Sequence, residues 1–430
     1  MKETIPLPST AVTSEMTPNE LRACRCCGNT RLPLILSLGI QQLTGVFPRS
    51  AAEQVTAGPL ELVKCVGDEA CGLVQLRHTY DASEMYGSNY GYRSGLNQSM
   101  VRHLGQTVAT LLEAYPCTDG SIVLDIGSND GTLLSFMPAS ARRVGMDPTI
   151  AKYRQFYDPA IHAIPDFFSA ARFRESYGEE RAALITSIAM FYDLENPLAF
   201  VREIAQVLAP NGVWYFEQSY LPTMLSQNAY DTICHEHLEY YALKQIQWLM
   251  GRAGLRVVDV RLNDVNGGSF SVAVCHDGAS IISNVEAIRA VEAAERAANL
   301  DSLDTFEIFR KRVEGHRDQL LALLAEIRRS GATVLGYGAS TKGNVILQYC
   351  GLTPDQIPAI AEVNPDKFGA FTPGTHIPII PEADAHARNP EYFLVMPWHF
   401  RDNLIRREAE FLQRGGKMIF PLPEISVAAS

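Results

Sequence analysis

The chain has 430 residues, 47% of them apolar and 20% charged, with a formal net charge of −11. That length is too great for one ordinary core and points to roughly two to four domains. The acidic balance excludes bulk nucleic-acid binding, which needs basic patches, and no run of about 18 apolar residues is present to cross a membrane.

The opening "MKETIPLPSTAVTSEMTPNE" is polar and carries prolines. It lacks the apolar segment of a signal peptide, so it reads as a disordered lead and the protein as cytoplasmic. Texture divides the chain into an N-terminal block (1–95), a block of alternating strand-like and helix-like segments (96–280) and a C-terminal block (281–430). The first block holds five of the nine cysteines. Without an export signal these point to thiols or a metal, not to a disulfide framework. Cys24 and Cys27 form a C-x-x-C knuckle in "CRCCGN", and Cys65 and Cys71 a wider pair in "KCVGDEACGLVQL". Two knuckles joined by strand-like sequence suit a tetrahedral structural Zn2+, and four thiolates leave no open position for catalysis. Cys26 is expected to point away from the ion, though spacing does not decide which neighbour ligates. Free thiols are the competing reading.

In the middle block "SIVLDIGSNDGTLL" starts as an apolar strand, with Asp125 near its end. The turn from Gly127 to Gly131, with Asn129 inside it, leads into a helix. Glycines let the backbone pass close to a ligand, and ligands bind at the carboxyl ends of strands in open parallel sheets. The spacing is G-x-x-x-G, not the dinucleotide G-x-G-x-x-G. Asp147 in "RRVGMDPT" ends the next strand, about 20 residues on, where a ribose-binding carboxylate is expected. Asp166 and Phe167 in "IPDFFSA" end the third. This series resembles the class I S-adenosylmethionine-dependent methyltransferases. The resemblance implies that Asp125, Gly127, Asn129 and Gly131 line the methionine side, Asp147 the ribose, and Asp166 with Phe167 the adenine. An ordinary doubly wound domain with turn glycines is the alternative. Three acids at three successive strand ends argue against it.

Past the strand "GVWYFEQSY" comes "TICHEHLEYYAL", dense in titratable groups. His235 and His237 would share a face only on extended chain, and H-E-H lacks the H-E-x-x-H spacing of helical metal sites. A metal is therefore the weaker reading, and a polar turn the bland one. A general base suits better: an imidazole accepts a proton near neutral pH, and an adjacent glutamate can orient it. Tyr240 and Tyr241 could donate to a developing oxyanion. The C-terminal block is helical to about Gly331 and then enters "TVLGYGASTKGNVILQ", a second strand–glycine–helix unit. There Ser340 and exposed amides could cradle phosphate at a helix N-terminus, with Lys342 adding charge. Trp398 and His399 in "LVMPWHF" read as core or domain-interface packing.

The order of the cysteine block, "DIGSNDG", "YDTICHEHLEYY", "NGGSFSV" and "GYGASTKGN" resembles the nucleotide-sugar C-methyltransferases, which branch deoxysugars. It extends over nearly the whole chain beyond the first twenty residues. The implied fold is α/β: a class I methyltransferase core flanked by a small zinc-binding domain and a second Rossmann-like domain. The implied acceptor is a dTDP-linked 4-keto-6-deoxysugar or close relative, methylated on a ring carbon beside the ketone. The resemblance makes His237 the base, assisted by Glu236, with His235 nearby. It brings Tyr90 to the sugar, with Tyr86 and Tyr92 as neighbours. Cys234, Tyr240, Tyr241, Asn266, Gly268, Tyr337, Ser340 and Lys342 are the remaining expected substrate contacts. Two departures stand out. Some members carry tyrosine where this chain has Cys234, and some carry a histidine after the fourth strand, where Asp193, Leu194 and Glu195 stand. A monomer is expected, with a dimer left open. Competing functions are an oxygen- or nitrogen-methyltransferase, a nicotinamide-dependent oxidoreductase using the G-x-G-x-x-x-x-G of the last block, and a zinc-bearing binding module with a degenerate core.

Overall fold

Strand Ile122–Ile126 is buried at every position, as expected for a parallel strand covered on both faces. In a computed structural model of the chain, which describes residues 19–85 and 92–430, it lies inside a seven-stranded sheet. Across that sheet the order is Leu255–Asn263, Ser269–His276, Leu208–Ser219, Ala182–Ile188, Ile122–Ile126, Arg142–Met146, His162–Ile164. All neighbours are parallel except those of Ser269–His276. Numbered along the chain the order is 6-7-5-4-1-2-3, which reverses between the first and fourth strands. A crevice for a ligand opens at the carboxyl ends of such a switch point.

A second sheet is antiparallel and runs Glu239–Tyr240, Val74–Leu76, Ala57–Lys64, Leu34–Gln42. Its first strand comes from the "HEHLEYY" stretch, far along the chain from the other three. A third sheet has the order Ile379–Pro381, Ile360–Glu362, Val334–Tyr337, Tyr392–Val395, Lys417–Phe420, Ser426–Ala428. It is parallel except for its last strand. This is a doubly wound order, 3-2-1-4-5-6.

Helix Leu303–Arg329 joins the sheets. Its buried residues Phe306, Phe309, Val313, His316, Leu320, Leu324 and Ile327 recur at three- and four-residue steps, the stripe of a helix packed along one face. Ser302 caps it by accepting from the Asp304 amide. Helix Val285–Ala297 packs instead toward Leu255–Asn263. Its buried Glu295 accepts from Tyr220 Oη and from the amides of Leu243 and Lys244, placing negative charge at the positive end of helix Leu243–Gly251. The cysteine block also meets helix Thr341–Tyr349 of the C-terminal domain directly: Gln42 and Gln348 exchange two amide bonds, and Asn344 donates to Thr44 O at 2.7 Å. Among the described residues no helix is long and apolar enough to cross a membrane.

Gly268 stands where these units meet. Its φ is 112°, and an added Cβ would lie 2.1 Å from Thr223 Cγ2. Gly268→Ala is expected to cost about 1–3 kcal/mol through backbone strain, seen as a lower urea midpoint. Gly278→Ala, with open space around it, should leave the midpoint in place.

Candidate active site

The donor-side turn is built as its glycines require. Gly127, Asn129 and Gly131 have φ of 72°, 51° and 77°. A Cβ on Gly127 would crowd Met190 Cγ at 3.1 Å, and one on Gly131 would meet the Tyr157 ring. Asp147 fixes the turn from the next strand: one oxygen accepts the Asn129 amide at 2.9 Å and the other accepts Thr149 N and Oγ1. Asp125 is buried and accepts from Thr186 Oγ1 at 2.6 Å. Burial pushes its carboxyl up to about 7, with the Asp147 charge adding to the rise. Phe167 is exposed and Asp166 half-buried after the third strand, where Asp166 pairs with Arg172. The Asn129 side chain faces the other way from the expected contact. Its Oδ1 accepts Ser94 N and its Nδ2 donates to Tyr92 O, while Asp130 accepts Gly95 N. The turn thereby clamps residues 92–95. Tyr86 and Tyr90 lie outside the described residues.

The acid/base cluster lies past the fifth strand. His235 and Glu236 form a turn closed by His237 N donating to Cys234 O at 3.1 Å. His237 Nδ1 is 2.8 Å from Thr232 O. A carbonyl only accepts, so Nδ1 carries the hydrogen and Nε2 presents its lone pair. The Tyr192 ring packs edge-on against the imidazole at 4.4 Å, and Tyr240 Oη also reaches Thr232 O, at 3.4 Å. Burial, with the Lys342 charge beside it, pushes His237 down to about 4. Burial pushes Glu236 up to about 7.

Lys342 is not at a phosphate cradle. Its Nζ donates to Asn266 O at 2.7 Å, and its charge acts on Asp231, Cys234, His237 and His399. Trp398 Nε1 donates to Asp231 Oδ2 at 2.7 Å, and Gly267 packs on the Trp398 ring. Burial and the same ammonium push His399 down to about 3. His399 Nδ1, Asp231 Oδ1 and both amide atoms of Gln218 are buried with no hydrogen-bond partner among the described residues. Gln218 sits at the carboxyl end of the fifth strand. The sequence singles out neither Gln218 nor Tyr192, and its pattern places His399 in packing. The usable signal was their place: a polar residue ending a buried strand faces a ligand crevice.

Other expected residues go elsewhere. His235 stacks edge-on against Tyr80 at 4.6 Å and faces Gly58 O, since the turn at 235–236 sends the two histidines apart. Tyr241 is fully buried against Phe191 at 5.3 Å, the strand having turned it to the face opposite Tyr240. Tyr337 Oη donates to Glu408 at 2.7 Å inside the C-terminal core. Ser340 caps its own helix through Gly343 N. The amides of that turn are largely taken: Glu362 accepts Ala339 N at 2.9 Å, and Ser340 N bonds Gly338 O. A carboxylate already seated there opposes a diphosphate.

Among the described residues three sets of side chains are close enough to share an ion; one of them, Glu382, His386 and Glu408, lies in the C-terminal domain. Sγ atoms of Cys24, Cys27, Cys65 and Cys71 all lie within 4.8 Å of one another, with 3.5 Å between Cys24 and Cys71 and 3.4 Å between Cys27 and Cys65. Ligands at about 2.3 Å around a tetrahedral zinc stand ~3.8 Å apart, so the four thiols fit and Cys26 is not among them. Cys234, Glu236 and His237 also converge, but the Lys342 ammonium beside them repels a dication.

Family models match three consecutive segments: "Putative zinc binding domain" at 24–86, "Methyltransferase domain" at 98–260 and "C-methyltransferase C-terminal domain" at 264–423. C-methyltransferase NovU of Streptomyces niveus is 32% identical over 416 residues, covering 95% of this chain and 97% of that protein. Solved structures that are similar include mitomycin 7-O-methyltransferase MmcR, at 16% identity and TM-score 0.34 over 42% of this chain and 55% of that one. Another is plantazolicin methyltransferase BpumL in complex with SAH, at 11% and 0.32 over 40% and 82%. The sheet and turn are those of a class I S-adenosylmethionine-dependent methyltransferase. Within that class the chain belongs to the C-methyltransferase family.

The Lys342 charge disfavours the imidazolium of His237, so removing it should let the ring hold a proton to higher pH. Lys342→Met is expected to move the acid limb of kcat/KM upward in pH. An unmoved limb would show that the two groups do not interact.

Proposed function

We propose that this enzyme methylates a ring carbon beside the ketone of a 4-keto-6-deoxy nucleotide sugar, such as a dTDP-linked one, after His237 removes a proton from that carbon. The observation that carries this reading is the tautomer lock: Thr232 O holds the Nδ1 hydrogen, which leaves Nε2 as a free base, and burial keeps the ring neutral. Carbon beside a ketone is weakly acidic, so a C-methyltransferase needs such a base together with a group to meet the oxygen that gains charge. C-methylation is the chemistry of the family. The nucleotide sugar is what the resemblance to the nucleotide-sugar C-methyltransferases implies.

The donor-side residues fit S-adenosylmethionine. Positive φ at Gly127, Asn129 and Gly131 turns the backbone sharply at the carboxyl end of the first strand, and acids stand at three strand ends. Asp125, Gly127 and Gly131 would hold the methionine portion, Asp147 the ribose, Asp166 and Phe167 the adenine. Bound there, the donor supplies an electrophilic sulfonium methyl.

On the acceptor side His237 Nε2 takes the proton as the C–H bond breaks, and the electron pair passes to the ketone oxygen as an enolate. Lys342 is the cation that can face that oxygen. Glu236 lies beside the base and receives or relays its proton. Tyr192 and Tyr240 keep the imidazole in place, and Gln218 offers an amide toward the crevice. With the donor bound, the enolate carbon would form its bond to the methyl carbon as the methyl–sulfur bond breaks, the electron pair of that bond staying on sulfur and S-adenosylhomocysteine leaving. Alignment of the two carbons supplies much of the acceleration. The four-cysteine set would hold Zn2+ for structure alone, since four thiolates leave no open position.

Incubation with a 4-keto-6-deoxy nucleotide sugar in deuterated water tests the base. Wild-type enzyme should place deuterium on the carbon beside the ketone, and His237→Ala should lose that exchange with methyl transfer by at least about 100-fold. Full exchange in His237→Ala would remove His237 from the role. For the metal, purified chain should carry one zinc by elemental analysis. Cys65→Ser should lose it and unfold at lower temperature, because metal binding is folding free energy in such a block.

A further inference from the structure

The methyltransferase sheet alone does not hold the base. Leu76 N donates to Leu238 O at 2.8 Å, and Glu239 and Tyr240 pair with Gln75 and Val74. The stretch carrying His237 thus completes the sheet of the cysteine block. On its other side Leu238 N donates to Tyr192 O at 2.8 Å, so the segment is stitched between two domains.

A buried contact between a guanidinium and a carboxyl group underlies that stitch. Arg25 sits inside the C-x-x-C knuckle, between two of the four clustered thiols. Its Nη1 donates to Leu76 O at 2.6 Å, its Nη2 to Thr79 Oγ1 at 2.7 Å, and its amide to Gln75 Oε1 at 3.1 Å. Its Nε lies 3.8 Å from Glu239 Oε1, with the two side chains 2% and 0% exposed. Neither carboxyl oxygen of Glu239, nor Gln75 Nε2 opposite it, has a hydrogen-bond partner among the described residues.

A pair of this kind is a poor way to gain stability. Charges removed from water lose hydration that their attraction seldom fully repays, and apolar replacements often serve as well. Geometry is what it supplies. A guanidinium donates in a rigid fork, so Arg25 fixes strand Val74–Leu76 relative to the knuckle and at the same time faces Glu239, two residues beyond His237. The knuckle is rigid when its thiolates share an ion. The path from knuckle to base is short: Arg25, the paired strands, then the turn that carries the imidazole.

We propose that Arg25 and Glu239 are positioning residues for His237, through which the closed cysteine set holds the base in register with the donor crevice. This rests on His237 being the base. A displacement of about 1 Å at such a group can cost on the order of 100-fold in rate, so a structural domain remote from the chemistry can govern turnover.

Arg25→Met keeps all four cysteines and removes the fork. In the full-length enzyme, zinc content and S-adenosylmethionine affinity should stay within about twofold of wild type, because neither site is touched. Methyl transfer and deuterium exchange into the sugar should fall together by about 10–100-fold, with KM for the acceptor little changed. Amide hydrogen exchange at 233–241 should quicken while 122–131 stays as protected as before. Wild-type kcat with wild-type protection at 233–241 would overturn the proposal. Should the variant not fold, mild chelation of the wild-type enzyme is the second measurement: protection at 233–241 should be lost before that at 122–131, and simultaneous loss throughout would overturn it. A His237→Ala enzyme that still exchanges the sugar proton refutes the base assignment instead. An inert His237→Ala beside an unaffected Arg25→Met refutes the coupling alone.

Discussion

The carbonyl of Thr232 takes the Nδ1 hydrogen of His237, in a recess where burial and the Lys342 ammonium both oppose a second proton. The rest of the site follows from keeping that imidazole neutral, fixed and aimed. Neutrality needs desolvation, and the methyltransferase sheet cannot enclose its own crevice mouth. The cysteine block covers one side by taking Glu239–Tyr240 as a strand. The C-terminal domain covers another with helix Thr341–Tyr349 and Trp398–Phe400. Three domains therefore surround this imidazole; one continuous apolar core runs through them, from Leu36 and Leu62 through Met224 and Tyr230 to Phe306 and Leu335, and hydrogen bonds such as the reciprocal pair between Gln42 and Gln348 add register to it.

The C-terminal domain departs from what its doubly wound order suggests. Its glycine turn has the shape to receive a phosphate, yet Glu362 seals it by accepting the amides of Ala339, Val363 and Asn364, and Lys367 closes over Ala339 O. The helix that follows carries Lys342 into the junction, where its ammonium donates to Asn266 O and its charge acts on His237. A fold known for holding nucleotides here contributes one cation and a wall. The nicotinamide reading loses its site for the same reason.

The glycine turn and the strand ends of the methyltransferase sheet were legible in the sequence because they are local. Asp125, Asp147 and Asp166 announce themselves at strand ends, and the positive φ of Gly127 and Gly131 is implied by a five-residue turn. The four cysteines were legible because metal geometry constrains their spacing. The acceptor side was only partly legible. His235 and His237 would have shared a face on extended chain, but the turn at 235–236 separates them. Tyr240 and Tyr241 alternate across a strand, so only one can reach the site. Tyr337 and Lys342 belong to one motif and yet part company, the first to Glu408, the second to Asn266. Those outcomes depend on partners some 70 residues or more away along the chain, which no local pattern encodes.

The most direct measurement is a crystal structure with S-adenosylhomocysteine and an unreactive analogue of the keto sugar nucleotide. The account predicts His237 Nε2 within hydrogen-bond reach of the carbon beside the ketone, Lys342 facing the ketone oxygen, and that carbon in line with the donor sulfur. A sugar ring seated away from His237, or a diphosphate lying on Lys342, would contradict it.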